Sequence, residues 1–234
     1  LDDVVSGDAR LAWRGAAVGL AAPPGEEFRL ESASFAVFDL ETTGLGGPDD
    51  YITTLTLYDG QRLRHYVQGE NLGDFRDDIG DYRLLVTYNG KCFDLPFIRN
   101  YLGVPMRQAH IDLRYVLASL GYRGGLKGCE RQLGLARGDL EDVDGYFAVL
   151  LWFDYLNNGN RRALETLLAY NTLDVVNLAT LMATAYNLKL ADTPFAESRR
   201  LPMPAVPSLP FAPDTETIQR IRRDHFPGRL SRCV

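Results

Sequence analysis

The sequence predicts an α/β domain built on a mixed β-sheet. Three patterns predict it. Residues 34–67 read as three strands in a row, residues 71–133 alternate strand and helix signals, and residues 161–188 form one long amphipathic stretch. A strand meander followed by strand–helix alternation is the pattern of a sheet with antiparallel and parallel pairs, covered by helices.

The elements follow in order. Phe35-Ala-Val-Phe38 is apolar throughout and leads into Asp39, which makes 34–40 the first strand. Gly44 to Asp50 is a Gly/Pro/Asp loop. Residues 51–58 are rich in Thr, Tyr, Ile and Leu, and Asp59-Gly60 then signals a hairpin into 61–67. Asn71–Asp81 reads as a short polar helix and Leu84–Tyr88 as a buried strand, broken at Asn89-Gly90. Phe93–Leu102 reads as a helix with Pro96 tolerated in its first turn. Ala109–Ile111 is a short strand, and Asp112 suits the N-cap of a helix over Leu113–Leu120. A glycine-rich link leads to a short helix near Leu126–Leu133, then an acidic loop from Gly138 to Gly145. Tyr146–Leu156 and Arg161–Leu188 are helices. Six prolines between Pro194 and Pro213 predict an extended, helix-free strap, and Thr215–Asp224 a last short helix. The domain plan is therefore an N-terminal extension (1–33, with a helix around Ser6–Val18 and a turn at Pro23-Pro24-Gly25), a core domain (34–190), and a Pro-rich strap with a basic tail (191–234).

Composition narrows the class. The chain has 234 residues, 46% hydrophobic and 24% charged, in the range of globular proteins. No apolar run approaches the ~20 residues a membrane span needs, and no charged n-region with an apolar h-region opens the sequence. Three widely spaced cysteines (Cys92, Cys129, Cys233) without a CxxC pair argue against a disulfide framework or a structural zinc site, so a reducing cytoplasm is expected. His65, His110 and His225 are scattered, so any metal must be carried by carboxylates. The net charge of −6 opposes tight non-specific nucleic-acid binding. Its distribution is uneven: residues 195–234 carry seven Arg against four Asp/Glu, which leaves −9 for the rest.

The acids carry the chemistry. Asp39 and Glu41 are two apart on a strand, so they share a face about 7 Å apart. Two carboxylates so placed at a strand end are either solvated in a polar turn or bound to a hard divalent cation. In the long helix, Tyr170 and Asp174 lie one turn apart on one face, among Leu167, Leu178 and Leu181. A carboxylate inside an apolar stripe needs a hydrogen-bonding partner or a metal. Asp94 follows the break after the fourth strand and could be a helix cap or a third contributor. Together Asp39, Glu41, Asp94 and Asp174 form a −4 set that two Mg²⁺ or Mn²⁺ ions would neutralise. Setting it aside leaves only −2 for the remaining chain, which weakens the objection from net charge.

Phe-Asp-Leu-Glu-Thr-Thr-Gly-Leu (38–45), Asn-Gly-Lys-Cys-Phe-Asp (89–94) and Tyr-Asn-Thr-Leu-Asp (170–174) resemble the three exonuclease motifs of the DEDD superfamily, in order and spacing. Tyr170 four residues before Asp174 resembles its tyrosine subclass. More narrowly, the chain resembles the bacterial YprB-type ribonuclease H-like domain family, with further matches at His110-Ile-Asp-Leu113, Leu126-Lys-Gly-Cys-Glu130, Asp142-Val-Asp-Gly145 and Tyr155-Leu-Asn-Asn-Gly159. The resemblance covers about residues 34–190. Many members carry His where this chain has Tyr170, which leaves open how the attacking water is positioned.

The resemblance implies a five-stranded mixed sheet, first three strands antiparallel, flanked by helices. It also implies a metal-dependent 3′–5′ exonuclease acting on the 3′ end of single-stranded DNA or RNA through two divalent ions, Mg²⁺ or Mn²⁺. Asp39 would bridge both ions, Glu41 and Asp174 would hold the one carrying the water, Asp94 would complete the shell, and Tyr170 would orient the water. Thr42, Thr43, Gly44 and Leu45 would meet the terminal nucleotide, with Asn89, Lys91 and Phe93 as further substrate contacts. Lys127 and Arg131 could line the strand's path or be surface charge. The basic tail could steer nucleic acid or pack as a strap. Two other readings stay open: a nucleic-acid-binding or scaffold domain on the same fold that has lost activity, and a phosphotransfer or endonucleolytic enzyme.

Overall fold

The computed structural model describes residues 34–226. Five strands, β1 (Phe35–Thr42), β2 (Ile52–Tyr58), β3 (Leu63–Val67), β4 (Leu84–Thr87) and β5 (Ala109–Asp112), form one sheet in the order β3-β2-β1-β4-β5. β1–β2 and β2–β3 are antiparallel, while β1–β4 and β4–β5 are parallel. The expected sheet, with its first three strands antiparallel, is the one observed. Among the described residues seven helices flank it: α1 (Phe75–Asp78), α2 (Asp94–Tyr101), α3 (Leu113–Ser119), α4 (Gly125–Gln132), α5 (Gly145–Asn158), α6 (Arg161–Leu190) and α7 (Thr215–His225). The helix and turn read within residues 1–33 lie outside the described residues. Among the described residues no helix is long and apolar enough to cross a membrane.

Strand alternation decides which face each helix covers. Ala36, Phe38 and Leu40 of β1 point into a core with Phe75, Leu95 and Ile98 from α1 and α2. Val37 points the other way, into a core with Leu113 and Leu117 of α3 and Val175, Leu178 and Leu181 of α6. Asp39 and Glu41 share Val37's parity, so they face α6. Each fully buried Leu on that helix contributes roughly 1.5–3 kcal/mol, and the apolar stripe fixes the helix's rotation over β1. The rotation of α6 then determines where Tyr170 and Asp174 point.

Several boundaries differ from the sequence reading, for local reasons. β1 runs to Thr42 rather than residue 40, because its ladder to β2 continues through Glu41 and, after a register shift between Glu41 and Thr42, resumes at Thr42. Glu41 thus lies inside the strand, not in a turn. The polar segment after β3 is not one helix but a 3₁₀ turn, α1 and a second 3₁₀ turn over Leu72–Asp81. α6 continues to Leu190. The chain from Ala191 to Asp214 has no helix, as expected of the strap. It ends on Asp214, whose carboxylate accepts from the Thr217 amide at 2.8 Å and whose own amide donates to Thr166 Oγ1 at 2.9 Å. Ile218 and Ile221 of α7 join the core beneath α5 and α6. Arg220 pairs with Asp154 and Arg222 with Asp142, so these two tail arginines are committed to docking α7.

Candidate active site

Asp39, Glu41 and Asp174 each present a carboxylate oxygen within 4.8 Å of the other two. They come from β1 and α6, whose rotation is set as described above. Asp94 opens α2, one residue inside an N-cap that Phe93, not Asp94, occupies. Asp94 is 3% exposed, and its Oδ1 has no hydrogen-bond partner among the described residues. A buried carboxylate oxygen without a partner is costly, so this atom points to a ligand. Thr56 and Thr54, the β2 partners of Asp39 and Glu41, likewise carry buried hydroxyls with no partner among the described residues. These acids line a cleft of about 530 Å³ together with Leu40, Phe93 and Tyr170.

The acids resist ionisation where they sit. Burial pushes Asp39 up to about 7, against a hydrogen bond from Asn171 and the charge of Arg137, both of which pull it down. Burial, then Asp39 and Asp94, raise Glu41 well above the usual carboxylate range. Burial and Asp39 do the same to Asp94, partly offset by the amides of Asp94 and Leu40. Cations placed among them would remove the cost. Clustered hard oxygen ligands, an orphaned buried oxygen and a local surplus of negative charge fit divalent cations of the Mg²⁺ or Mn²⁺ type.

Three side chains that the sequence did not single out shape the cluster. Asn171, next to Tyr170 on α6, donates through Nδ2 to Asp39 Oδ2 at 2.9 Å and to the Asp39 carbonyl at 3.2 Å. It fixes the Asp39 rotamer. Arg137, in the loop after α4, donates to Asp174 Oδ1 and, at 3.0 and 3.3 Å, to both oxygens of Glu130. Arg137 is 5% exposed and Glu130 0%. Asn177 Nδ2 completes the group, donating to Glu130 Oε1 at 2.8 Å. Asn171 carried one signal, an amide within an apolar helical stripe. Arg137 carried none, because its partners are seven and thirty-seven residues away.

Tyr170 lies between two cations, with Lys127 Nζ 5.5 Å and the Arg137 guanidinium carbon 5.2 Å from its ring centre. Burial first, and then Glu41, hold its phenol well above 10. Lys127 turns inward, donating to the carbonyls of Glu141, at 3.3 Å, and Val143. Arg131 pairs with Glu141 at the surface. Neither lines the cleft.

The remaining sequence-selected residues divide between cleft and rim. Asn89 and Phe93 line the cleft. Asn89 has a positive φ of 65°, and its amide and that of Lys91 donate to Asp112 at 2.7 and 3.1 Å. Asp112 also caps α3 through the Arg114 amide at 3.0 Å, so one carboxylate ties the turn before α2 to β5. Lys91 is exposed, 5.9 Å above the Tyr115 ring. Thr42, Thr43, Gly44 and Leu45 form the exit from β1. Thr42 Oγ1 donates to the Gly44 carbonyl at 2.6 Å, and Asp50 accepts from the Gly46 and Gly47 amides at 2.9 and 2.6 Å. A Cβ on Gly44 would fall 2.3 Å from Asp50 Oδ1, so a side chain there would displace the carboxylate that holds the Gly46 and Gly47 amides. Leu45 is 93% exposed at its tip. Arg114, Tyr122, Arg123 and the glycine turn Gly124-Gly125 also line the cleft.

A mixed sheet in this order, with a carboxylate pair on its central strand facing a long helix that carries a third acid, is a ribonuclease H-like architecture. The chain belongs to the RNase H superfamily: the family model RNase_H_2 matches residues 36–186. It is 32% identical over 168 residues to the uncharacterized protein YprB of Bacillus subtilis (strain 168), an alignment covering 62% of this chain and 40% of that one. The chain thus spans well under half of that relative's length. Among solved structures it is similar to the family B DNA polymerase of the hyperthermophilic archaeon Pyrobaculum calidifontis. The TM-score is 0.50 at 19% identity, over 70% of this chain and 25% of the polymerase, a likeness of fold. It is also similar to the Aedes aegypti Nibbler EXO domain, with a TM-score of 0.43 at 16% identity over 68% of this chain and 79% of that one.

Proposed function

We propose that this domain is a metal-dependent 3′–5′ exonuclease that removes nucleotides from the end of single-stranded DNA or RNA. The observation that carries the reading is the meeting of Asp39, Glu41 and Asp174 within 4.8 Å, beside the orphaned Asp94 Oδ1, at the side of an open cleft. Membership of the RNase H superfamily agrees with it.

Two divalent ions, Mg²⁺ or Mn²⁺, would supply an activated water and a stabilised leaving oxygen for phosphodiester hydrolysis. Asp39, held by Asn171, would be the acid shared by both. Glu41 and Asp174 would hold one ion and Asp94 would complete the other's shell, in part through water. Burial and Glu41 raise the Tyr170 phenol, and in this reading it orients the attacking water. Asn89 and Phe93 border the place a terminal nucleotide would take, with Phe93 able to stack on any base. Thr42 to Leu45 and Lys91 would contact the strand at the rim. Arg114 and Arg123, which line the same cleft, would meet the phosphates that the acids repel.

The test is a 5′-labelled single strand, DNA and RNA separately, incubated with Mn²⁺ and resolved by length. A ladder shortening one nucleotide at a time from the 3′ end is expected, and a circular strand should stay intact. No shortening of either polymer, or equal shortening by Asp39→Asn, would overturn the proposal.

A further inference from the structure

Arg137 is the strongest feature that the proposed chemistry does not use. Its guanidinium is buried and forked. One arm holds Glu130 with two hydrogen bonds of 3.0 and 3.3 Å, and the other takes Asp174 Oδ1. Glu130 is also fixed from behind by Asn177 at 2.8 Å. A divalent cation that binds Asp174 therefore meets a carboxylate whose oxygen already accepts from a positive charge. Guanidinium and dication are rivals for the same lone pairs, and in a buried site their mutual repulsion is poorly screened. Glu130 offers the guanidinium a place to stay when it leaves Asp174.

We propose that Arg137 is a built-in competitor for the divalent cation at Asp174, and that metal entry shifts the guanidinium off Asp174 onto Glu130 alone. Arg137 is a positioning residue that sets how much free metal the site requires. The inference rests on the reading of the acids as a dication site.

The deciding variant is the double substitution E130Q/R137Q in the full chain. It removes one negative and one positive charge, so the net charge around the acids does not change. It spares Glu130 from standing as a buried carboxylate without its guanidinium, a usual reason a broken buried pair fails to fold, and leaves Asp174 as the one acid that loses its cation. Mn²⁺ binding is titrated without substrate, by the loss of the free-ion electron paramagnetic resonance signal. Under the proposal the double variant binds Mn²⁺ more tightly than wild type, by roughly tenfold or more, the worth of a charged hydrogen bond. A merely structural role predicts the opposite, because a loosened Asp174 binds metal less well. Equal or weaker binding by the folded double variant overturns the inference and leaves the exonuclease reading intact. Absence of Mn²⁺ binding by both proteins overturns both. Should the double variant not fold, a crystal structure of wild type with Mn²⁺ decides. A guanidinium bonded to Glu130 and withdrawn from Asp174 is the expected result, and one still bonded to Asp174 Oδ1 overturns it.

Discussion

Replacing Asp39 with asparagine should stabilise the protein in metal-free buffer at alkaline pH while removing its response to metal. Asp39 titrates near 7 in the fold, against 3.8 for a free carboxylate, chiefly through burial. The sign follows from linkage. A raised carboxylate is protonated in the fold over a range where the unfolded chain is ionised. The stability associated with its neutral form is complete below about 3.8, declines as pH rises, and is fully lost above about 7. Each pH unit in that window is worth ~1.4 kcal/mol. Between pH 5 and pH 8 the titration therefore costs wild type up to ~3 kcal/mol, and about 2 kcal/mol once allowance is made for Asp39's contact with cleft water. The carboxamide introduced by D39N has no proton to lose and can still accept from Asn171. The assay is urea unfolding of both proteins in EDTA at pH 5 and pH 8. The advantage of D39N should grow by about 2 kcal/mol across that interval. Added Mn²⁺ should raise the wild-type midpoint at pH 8 and leave that of D39N unmoved. Parallel pH slopes for the two proteins would refute the argument that Asp39 is forced into its site against its own ionisation.

Two further outcomes follow from single side chains. Tyr170→Phe keeps the ring between Lys127 and Arg137 but removes the hydroxyl; kcat should fall roughly 10- to 100-fold, at or below the lower end of proton-transfer contributions. KM and Mn²⁺ affinity should barely change, and a large loss of Mn²⁺ affinity would show the residue to be a packing element instead. Asp112→Ala deletes the acceptor of three amides, from Asn89, Lys91 and Arg114, and should cost about 2 kcal/mol in chemical denaturation. An unchanged midpoint would mean that the turn before α2 holds itself.

Much of this architecture could be read from one sequence because the signals were local. β1 declared itself by four apolar residues and two acids of the same parity. α6 declared itself by an apolar stripe whose phase placed Tyr170 and Asp174 on one side. The local patterns reached a mixed sheet and no further: a meander has two edges, and the five-stranded arrangement was implied by the family resemblance. The convergence of the β1 and α6 acids was likewise a condition at that point.

What escaped the sequence were the groups whose meaning depends on distant partners. Arg137 lies in Gly134-Leu-Ala-Arg-Gly138, a stretch that reads as an ordinary polar turn. It becomes a buried cation only when the loop after α4 is laid against α6. Asn171 looked like a neutral neighbour of Tyr170 until the helix brought its amide under Asp39. Lys127, read as lining the strand's path or as surface charge, is drawn inward by the Glu141 and Val143 carbonyls and the Tyr170 ring. The physical reason is the same in all three. A carboxylate cluster this buried needs cations and amides around it wherever the chain can supply them. Sequence spacing reveals the acids, which sit on regular elements, but not the counter-charges, which arrive from loops and from the far side of a helix. The acids thus point to the proposed chemistry, and Arg137 and Asn171, which already bond Asp174 and Asp39, are the groups an entering metal would meet.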